Sequence, residues 1–316
     1  MLEPNYYSVL FTGGLDSTYR LCQLARNEEA VVQPVYIVFP VRPELKREIE
    51  AQNKILEYIC NHPNTKAKFL PIRRIQRDDI PKDQRILDLE GELAKYNFGW
   101  QYLYIALLAK WEPGLELCHE TLPPDLMDKK VVFEKKGGNL YIDIQKTDPL
   151  FAELFKNLVW PIMDISRKKM VTDLKEWGYD GILKLIWFCY ESVNGKPCGF
   201  CDNCRKKIED GLKDLFDKDA IHRYLIYIFI RQTHPKPTLS FYEEYIHKKY
   251  QPYRALSRRM IWYFDKYDKL TRLSNKQLKD IIINGSLDYG YSFAHIDEIK
   301  NMKNNVSRKH MFKGIL

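Results

Sequence analysis

Two stretches of this 316-residue chain place reactive residue types at spacings that can do chemistry. The first is YYSVLFTGGLDSTYRL, Tyr6 to Leu21. A β-branched and aromatic run suited to a buried strand meets two glycines flanked by hydroxyls, and a helix pattern follows. Gly13 and Gly14 permit a tight turn and let a ligand approach the backbone. Asp16, Ser17 and Thr18 open the helix, whose free N–H groups suit an anion, most often phosphate. An ordinary strand–turn–helix corner would look the same. The turn also lacks the lysine of the common G-x-x-x-x-G-K-[ST] phosphate loop.

The second stretch is CYESVNGKPCGFCDNC, in which Cys189, Cys198, Cys201 and Cys204 are spaced C-x8-C-x2-C-x2-C. Four thiolates with two short Cys-x2-Cys steps match a tetrahedral structural zinc site. Four protein ligands leave no position for a catalytic water, so the metal is expected to staple the loop around it. An iron–sulfur cluster or disulfides are the alternatives, and the absence of a secretion signal argues against disulfides. Cys22, Cys60 and Cys118 stand alone and are read as small core residues.

Elements must hold these stretches in place. Strand-like VVQPVYIVFP (31–40) and KAKFLPI (66–72) flank LKREIEAQNKILEYIC, whose Ile49, Ile55, Leu56 and Ile59 have near-helical spacing. A polar connection runs to about Leu89. NFGWQYLYIALLAKW predicts a buried helix, and SRKKMVTDLKEWG an amphipathic one capped by Ser166 and ended by Gly178. Strand alternating with helix predicts a doubly wound parallel α/β sheet, in which ligands sit at the C-terminal ends of strands. Gly13 and Gly14 fall at such an end. Beyond about Lys213 the segments AIHRYLIYIFIRQ, SFYEEYIHKKY, YRALSRRMIWYFDKYDKL and SNKQLKDIII are mainly helical in pattern and rich in aromatic and basic residues. The expected domains are residues 1–212, including the cysteines, and a helical extension over 213–316.

Charge divides the chain in the same place. The net charge is +8, yet from Arg205 onward 23 Lys and Arg face 13 Asp and Glu, an excess of +10 that leaves −2 for the first 204 residues. A basic, aromatic-rich tail suits an acidic partner, a protein face or a nucleic acid, although a solvated helical surface has the same composition. The longest apolar runs are too short to span a bilayer, and a cytoplasmic, soluble protein is expected.

The turn Thr12-Gly13-Gly14-Leu15-Asp16-Ser17-Thr18 resembles the SGGxDS loop of the N-type ATP pyrophosphatases, with Thr12 where that family usually has Ser. Taken with WPIMDISRKKMVTDLKEWG and WFCYESVNGKPCGFCDNCRKK, it resembles the 7-cyano-7-deazaguanine synthase family (QueC) over about residues 6 to 210. The resemblance implies a PP-loop fold of the HUP class and binding of ATP, with Mg²⁺, along Leu10 to Thr18. Hydroxyls of Thr12, Ser17 and Thr18 would hold the departing pyrophosphate while Asp16 orients the loop or positions Mg²⁺. Arg167 falls where the family usually has Lys, and Arg205 and Lys207 could also face phosphates, surface solvation being the alternative for all three. The implied substrate is 7-carboxy-7-deazaguanine, adenylated at its carboxyl group and attacked by ammonia.

Several family segments are missing. The Pro-Gly-Arg-Asn segment is replaced by YNFGWQ, with Gly99 retained; the SGYPDCR-like stretch has no counterpart in ELCHETLPPDLMDKK; and QRH becomes VRPEL. The ATP and zinc ends match while the segments around the nucleobase do not. Relatives with altered pockets and added domains imply conjugation of a 7-deazaguanine to a protein N-terminus, as in the type IV CBASS and Qat antiphage systems, with the C-terminal module docking the protein partner. An ammonia-using nitrile synthase with a lineage-specific tail is the alternative. A non-catalytic, zinc-stapled nucleotide- or nucleic-acid-binding protein is the third reading. A homodimer is compatible with each.

Overall fold

A computed structural model describes residues 5–94, 101–119, 130–190, 192–233 and 274–277. By internal contact the chain divides into two compact units, Met1–Trp187 and Phe188–Leu316. Gly99, most of ELCHETLPPDLMDKK and the tail segments SFYEEYIHKKY and YRALSRRMIWYFDKYDKL lie outside the described residues.

The first unit is built on a parallel sheet. Its strands are β1 (Tyr6–Leu10), β2 (Val31–Val38), β3 (Lys68–Phe69), β4 (Arg73–Gln76), β5 (Leu115–Glu116) and, after a hairpin, β8 (Leu158–Val159). The order is β3-β2-β1-β5-β8, with β4 continuing the β3 edge along β2, and every pairing is parallel. The hairpin β6 (Phe133–Lys136) and β7 (Asn139–Ile142) turns on Gly137 and Gly138, both at positive φ. From β1 the chain winds outward through β2 to β3 and β4, then returns to the other side of β1 at β5. The order therefore reverses between β1 and β5. Crevices at such reversals, beyond the C-terminal strand ends, are where doubly wound sheets bind ligands.

Helices α1 (Leu15–Ala25), α2 (Leu45–Cys60), α3 (Gln84–Leu87), α4 (Glu90–Ala94), α5 (Gln101–Trp111), α6 (Pro149–Phe155) and α7 (Arg167–Glu176) complete the unit. Helix α1 packs against α2 and α7, while α3, α5 and α6 pack on the opposite face. Strand alternation sorts the side chains accordingly. Leu10, Val35, Ile37 and Phe39 join Leu107, Phe151, Phe155 and Trp160 in one core. Phe155 and Trp160 meet edge to face at 5.4 Å, and such aromatic pairs contribute about 0.5–1.5 kcal/mol beyond area burial.

The doubly wound α/β architecture expected from the alternating pattern is present. The amphipathic helix is α7: Ser166 Oγ accepts from Lys169 N at 3.3 Å, and Gly178 at φ +82° follows its end. Two local expectations change. The strand over KAKFLPI is confined to Lys68–Phe69, ahead of Pro71, which offers no N–H to the ladder; Gln33 Nε2 donates to Pro71 O at 2.7 Å. The stretch up to Leu89 is not merely a polar connection. It contains β4 and α3, the latter capped by Asp83, which accepts from Arg85 N.

The described part of the second unit is short and helical: α8 (Asp202–Glu209) and α9 (Lys218–Thr233) follow the cysteine loop. Among the described residues, no helix is long and apolar enough to cross a membrane.

Candidate functional site

The glycine stretch forms a corner at the β1/β5 reversal. Phe11 continues the ladder of β1, its N–H donating to Val35 O at 2.7 Å. Leu10 and Phe11 bury their side chains, so only their backbone is available to a ligand. Thr12 is exposed. Gly13 has φ +78°, and Gly14 is extended at the N-cap of α1 with no side chain capping the helix. The first N–H groups of α1 are thus left to backbone geometry, water or a ligand. Trp187 N donates to Gly13 O at 2.8 Å and braces the corner from the far end of the same unit.

Polar atoms gather there without partners. Asp16 Oδ1, Ser17 Oγ and Thr18 Oγ1 are buried and make no hydrogen bond, although Ser17 and Thr18 are 4% and 0% exposed. Buried polar atoms are ordinarily satisfied, because each orphan costs about 1–3 kcal/mol. All three belong to the first turn of α1, which follows directly on the corner. Leu15 between them is apolar and buried, anchoring the turn.

The frame behind the corner is rigid. Arg20 makes a bidentate bond to Glu116, Nε to Oε2 at 2.8 Å and Nη2 to Oε1 at 2.6 Å, tying α1 to β5 across the reversal. Both residues are buried. Tyr19 OH donates to Asp173 at 2.8 Å, and Tyr19 stacks on Trp177 at 5.2 Å, aligning α1 with α7. Burial, then the hydrogen bond to Asp173, pushes the Tyr19 phenol well up, so it remains a donor. Arg167 opens α7 after β8, at the sheet end where the corner lies.

Residues the sequence reading did not single out also border the corner. A Cβ on Gly13 would sit 3.4 Å from Gln52 Cγ and 3.5 Å from Glu48 O, so one turn of α2 forms its floor. Nothing in the spacing of LKREIEAQNKILEYIC marks Gln52, which is polar on a helix face that packs inward. Of the three lone cysteines only Cys22 is a core residue. Cys60 is exposed, and Cys118 is partly buried just past β5. Burial first, then the charges of Glu116 and Asp16, pushes the Cys118 thiol well up, which makes it a poor nucleophile.

The second unit gathers all four predicted cysteines. Cys189, Cys198, Cys201 and Cys204 are buried, with their sulfurs all within 4.8 Å of one another. Cys198 and Cys204 sulfurs lie 3.8 Å apart. A tetrahedral ion with Zn–S bonds of about 2.3 Å requires a similar separation. No disulfide joins them. Backbone N–H groups of Cys198, Phe200 and Cys201 donate to sulfurs at 3.2–3.4 Å, the polarity that favours thiolate. The residues present fit a metal such as zinc.

The loop's backbone explains its spacing. Asn194 and Gly195, both at positive φ, turn a small hairpin closed by Val193 and Lys196. Gly199 has φ +87°, and a Cβ there would fall 2.0 Å from Ala220 O, so α9 presses on the loop. Arg223 of α9 donates to Cys198 O at 2.8 Å and Pro197 O at 3.2 Å. The start of the basic segment is therefore laced to the cysteine loop. Arg205 bonds Asp202 at 2.6 Å and lies 5.0 Å from the Tyr227 ring centre. Lys207 is buried over Phe188 rather than solvated. No family model matches this chain, and a search of curated proteins returned no match.

Proposed function

We propose that the chain is an ATP-dependent, AMP-forming ligase of the PP-loop type, acting on the carboxyl group of 7-carboxy-7-deazaguanine. The observation that carries the reading is the trio of unpartnered groups on Asp16, Ser17 and Thr18 at the uncapped start of α1. Fixed N–H dipoles and hydroxyls aimed at a leaving pyrophosphate stabilise charge without reorganising during the reaction. The substrate carboxylate attacks the α-phosphorus of ATP, the bond to pyrophosphate breaks, and an acyl-adenylate forms. An amine then attacks the acyl carbon and expels AMP. A carboxylate is a poor electrophile, and the mixed anhydride supplies the leaving group it lacks.

Support for the deazaguanine comes from the joint likeness of the glycine and cysteine stretches to the 7-cyano-7-deazaguanine synthases. Support for a protein N-terminus as the amine comes from the replaced pocket segments and from the +10 excess between Arg205 and the C-terminus. Arg167 is the candidate phosphate-facing cation, Asp16 the residue for the loop or Mg²⁺, and zinc in the cysteine loop is structural.

The purified protein is expected to release AMP and pyrophosphate from ATP only when 7-carboxy-7-deazaguanine is added. Mass spectrometry then identifies the acceptor: a mass increase on a protein's N-terminal peptide supports conjugation, and a free nitrile formed with ammonia replaces it with synthase activity. Asp16→Ala is expected to fold, keep its metal and melt no lower than wild type, because it removes an orphaned buried oxygen. Its turnover is expected to fall by about 100-fold or more. No AMP from the wild type with that acid would remove the ligase reading.

A further inference from the structure

Two arginines reach α2 one turn apart, and they end differently. Arg42 Nη1 meets a carboxylate, Glu48 Oε2, at 2.7 Å, and Tyr36 OH donates to the same oxygen. Arg74, on β4, meets only neutral amides. Its Nε and Nη2 donate to Gln52 Oε1 at 3.3 and 3.2 Å, and Nη2 also donates to Asn53 Oδ1 at 2.7 Å. Among the described residues no carboxylate lies within ion-pair distance of it. Its charge is uncompensated, and burial draws its pKa down.

Gln52 is the link from that charge to the glycine corner. It is 0% exposed, and its Cγ lies 3.4 Å from the Cβ position of Gly13. Arg74 fixes which way the amide faces, since a guanidinium can only donate and must meet the oxygen. The donor half, Nε2, is consequently turned away from Arg74 and has no partner. A fully buried amide donor beside a positive-φ glycine, held in orientation by an arginine without a counter-ion, is a half-built anion site.

We infer that Gln52 is a binding residue of the glycine corner: its Nε2 donates to an anionic phosphoryl oxygen there, while Arg74 holds the amide and supplies the compensating charge. The inference rests on the nucleotide reading of the corner and adds to it a recognition element from α2 and β4, absent from the Tyr6–Leu21 stretch.

The test is titration calorimetry of the full chain with inorganic pyrophosphate and with Mg·ATP, on the wild type, Gln52→Glu and Asn53→Asp. Gln52→Glu keeps the oxygen that Arg74 uses and replaces the donor by a second oxygen, so a merely structural role predicts unchanged or better stability and unchanged binding. A binding role predicts a loss of about 30-fold or more for both ligands, since hydrogen bonds to charged groups are among the stronger ones. Asn53→Asp brings the same charge to Arg74 without touching the amide, and is expected to weaken binding less than about threefold. If Gln52→Glu does not fold, Gln52→Met carries the test, with an expected loss of about tenfold. Wild-type affinity in the Gln52 variant, or an equal loss in Asn53→Asp, overturns the inference and leaves the corner's reading intact. A wild type that binds neither pyrophosphate nor ATP overturns both.

Discussion

The glycine corner and the cysteine loop would hold their proposed ligands by different means. In the cysteine loop the donors are side chains, four sulfurs within 4.8 Å of one another, and the backbone only bends to bring them there. In the corner, on the proposed reading, the backbone left open by Gly13 and Gly14 would share the binding with the side chains of Asp16, Ser17 and Thr18. The first kind of site is complete within 16 residues of sequence, Cys189 to Cys204. The second is assembled from α1, the floor of α2 and the brace of Trp187, which lie far apart in the chain. The cysteine ligands all come from one loop, whereas the corner depends on what distant segments pack behind it.

The largest effect that separates the two is loss of metal. Thiolates brought together without a cation repel, so the ion contributes directly to folding, with apparent binding free energies of about 10–16 kcal/mol at structural zinc sites. Cys201→Ser is expected to abolish stoichiometric metal in elemental analysis and to unfold the Phe188–Thr233 region in hydrogen exchange. A chelator should do the same to the wild type. If the variant kept its metal and its protection, the loop would be held by its own packing, and the contrast with the corner would disappear.

The sequence revealed these sites to different depths for the same reason. The C-x8-C-x2-C-x2-C spacing names every ligand, and the structure brings all four together. The strand, the glycines and the first turn of α1 were equally legible, as was α7 with its Ser166 cap and Gly178 stop. Gln52 and Arg74 were not, because their meaning comes from pairing across α2 and β4, and a polar residue on an amphipathic helix carries no mark of what it will face. Cys60 was misread for a related reason: a lone cysteine carries no mark of burial, and at the last position of α2 it is exposed. Proline is an ambiguous mark for strands: Pro71 lies just past the end of β3, whereas Pro34 sits inside β2 without breaking it.

A smaller effect tests whether the corner needs a rigid frame. Arg20 and Glu116 are both buried and tie α1 to β5. Removing one partner strands the other charge, at a cost of about 3–5 kcal/mol. Arg20→Met is therefore expected to lower the denaturation midpoint sharply and to weaken pyrophosphate binding, whereas Arg20→Met with Glu116→Leu should recover much of the stability. Should the double variant also recover binding, the frame serves only to hold the fold. Should binding stay lost, the bidentate geometry sets the position of the α1 start.

The smallest effect on stability gives the sharpest comparison, because it sets the two glycines against each other. Gly13 sits at φ +78°, where a side chain costs about 1–2 kcal/mol, and its Cβ would come into contact with Gln52 Cγ at 3.4 Å. Gly14 is extended, with its nearest neighbours Thr12 Oγ1 at 3.5 Å and Trp187 O at 3.8 Å, so the protein alone has room for a methyl group. Gly13→Ala is expected to lower stability by that amount. Gly14→Ala is expected to stay within about 0.5 kcal/mol of wild type by chemical denaturation, yet to bind pyrophosphate about tenfold more weakly, since the added methyl stands where a ligand meets the helix start. Full affinity in Gly14→Ala would mean that nothing approaches that backbone, and the second glycine would then be only a bend in the chain.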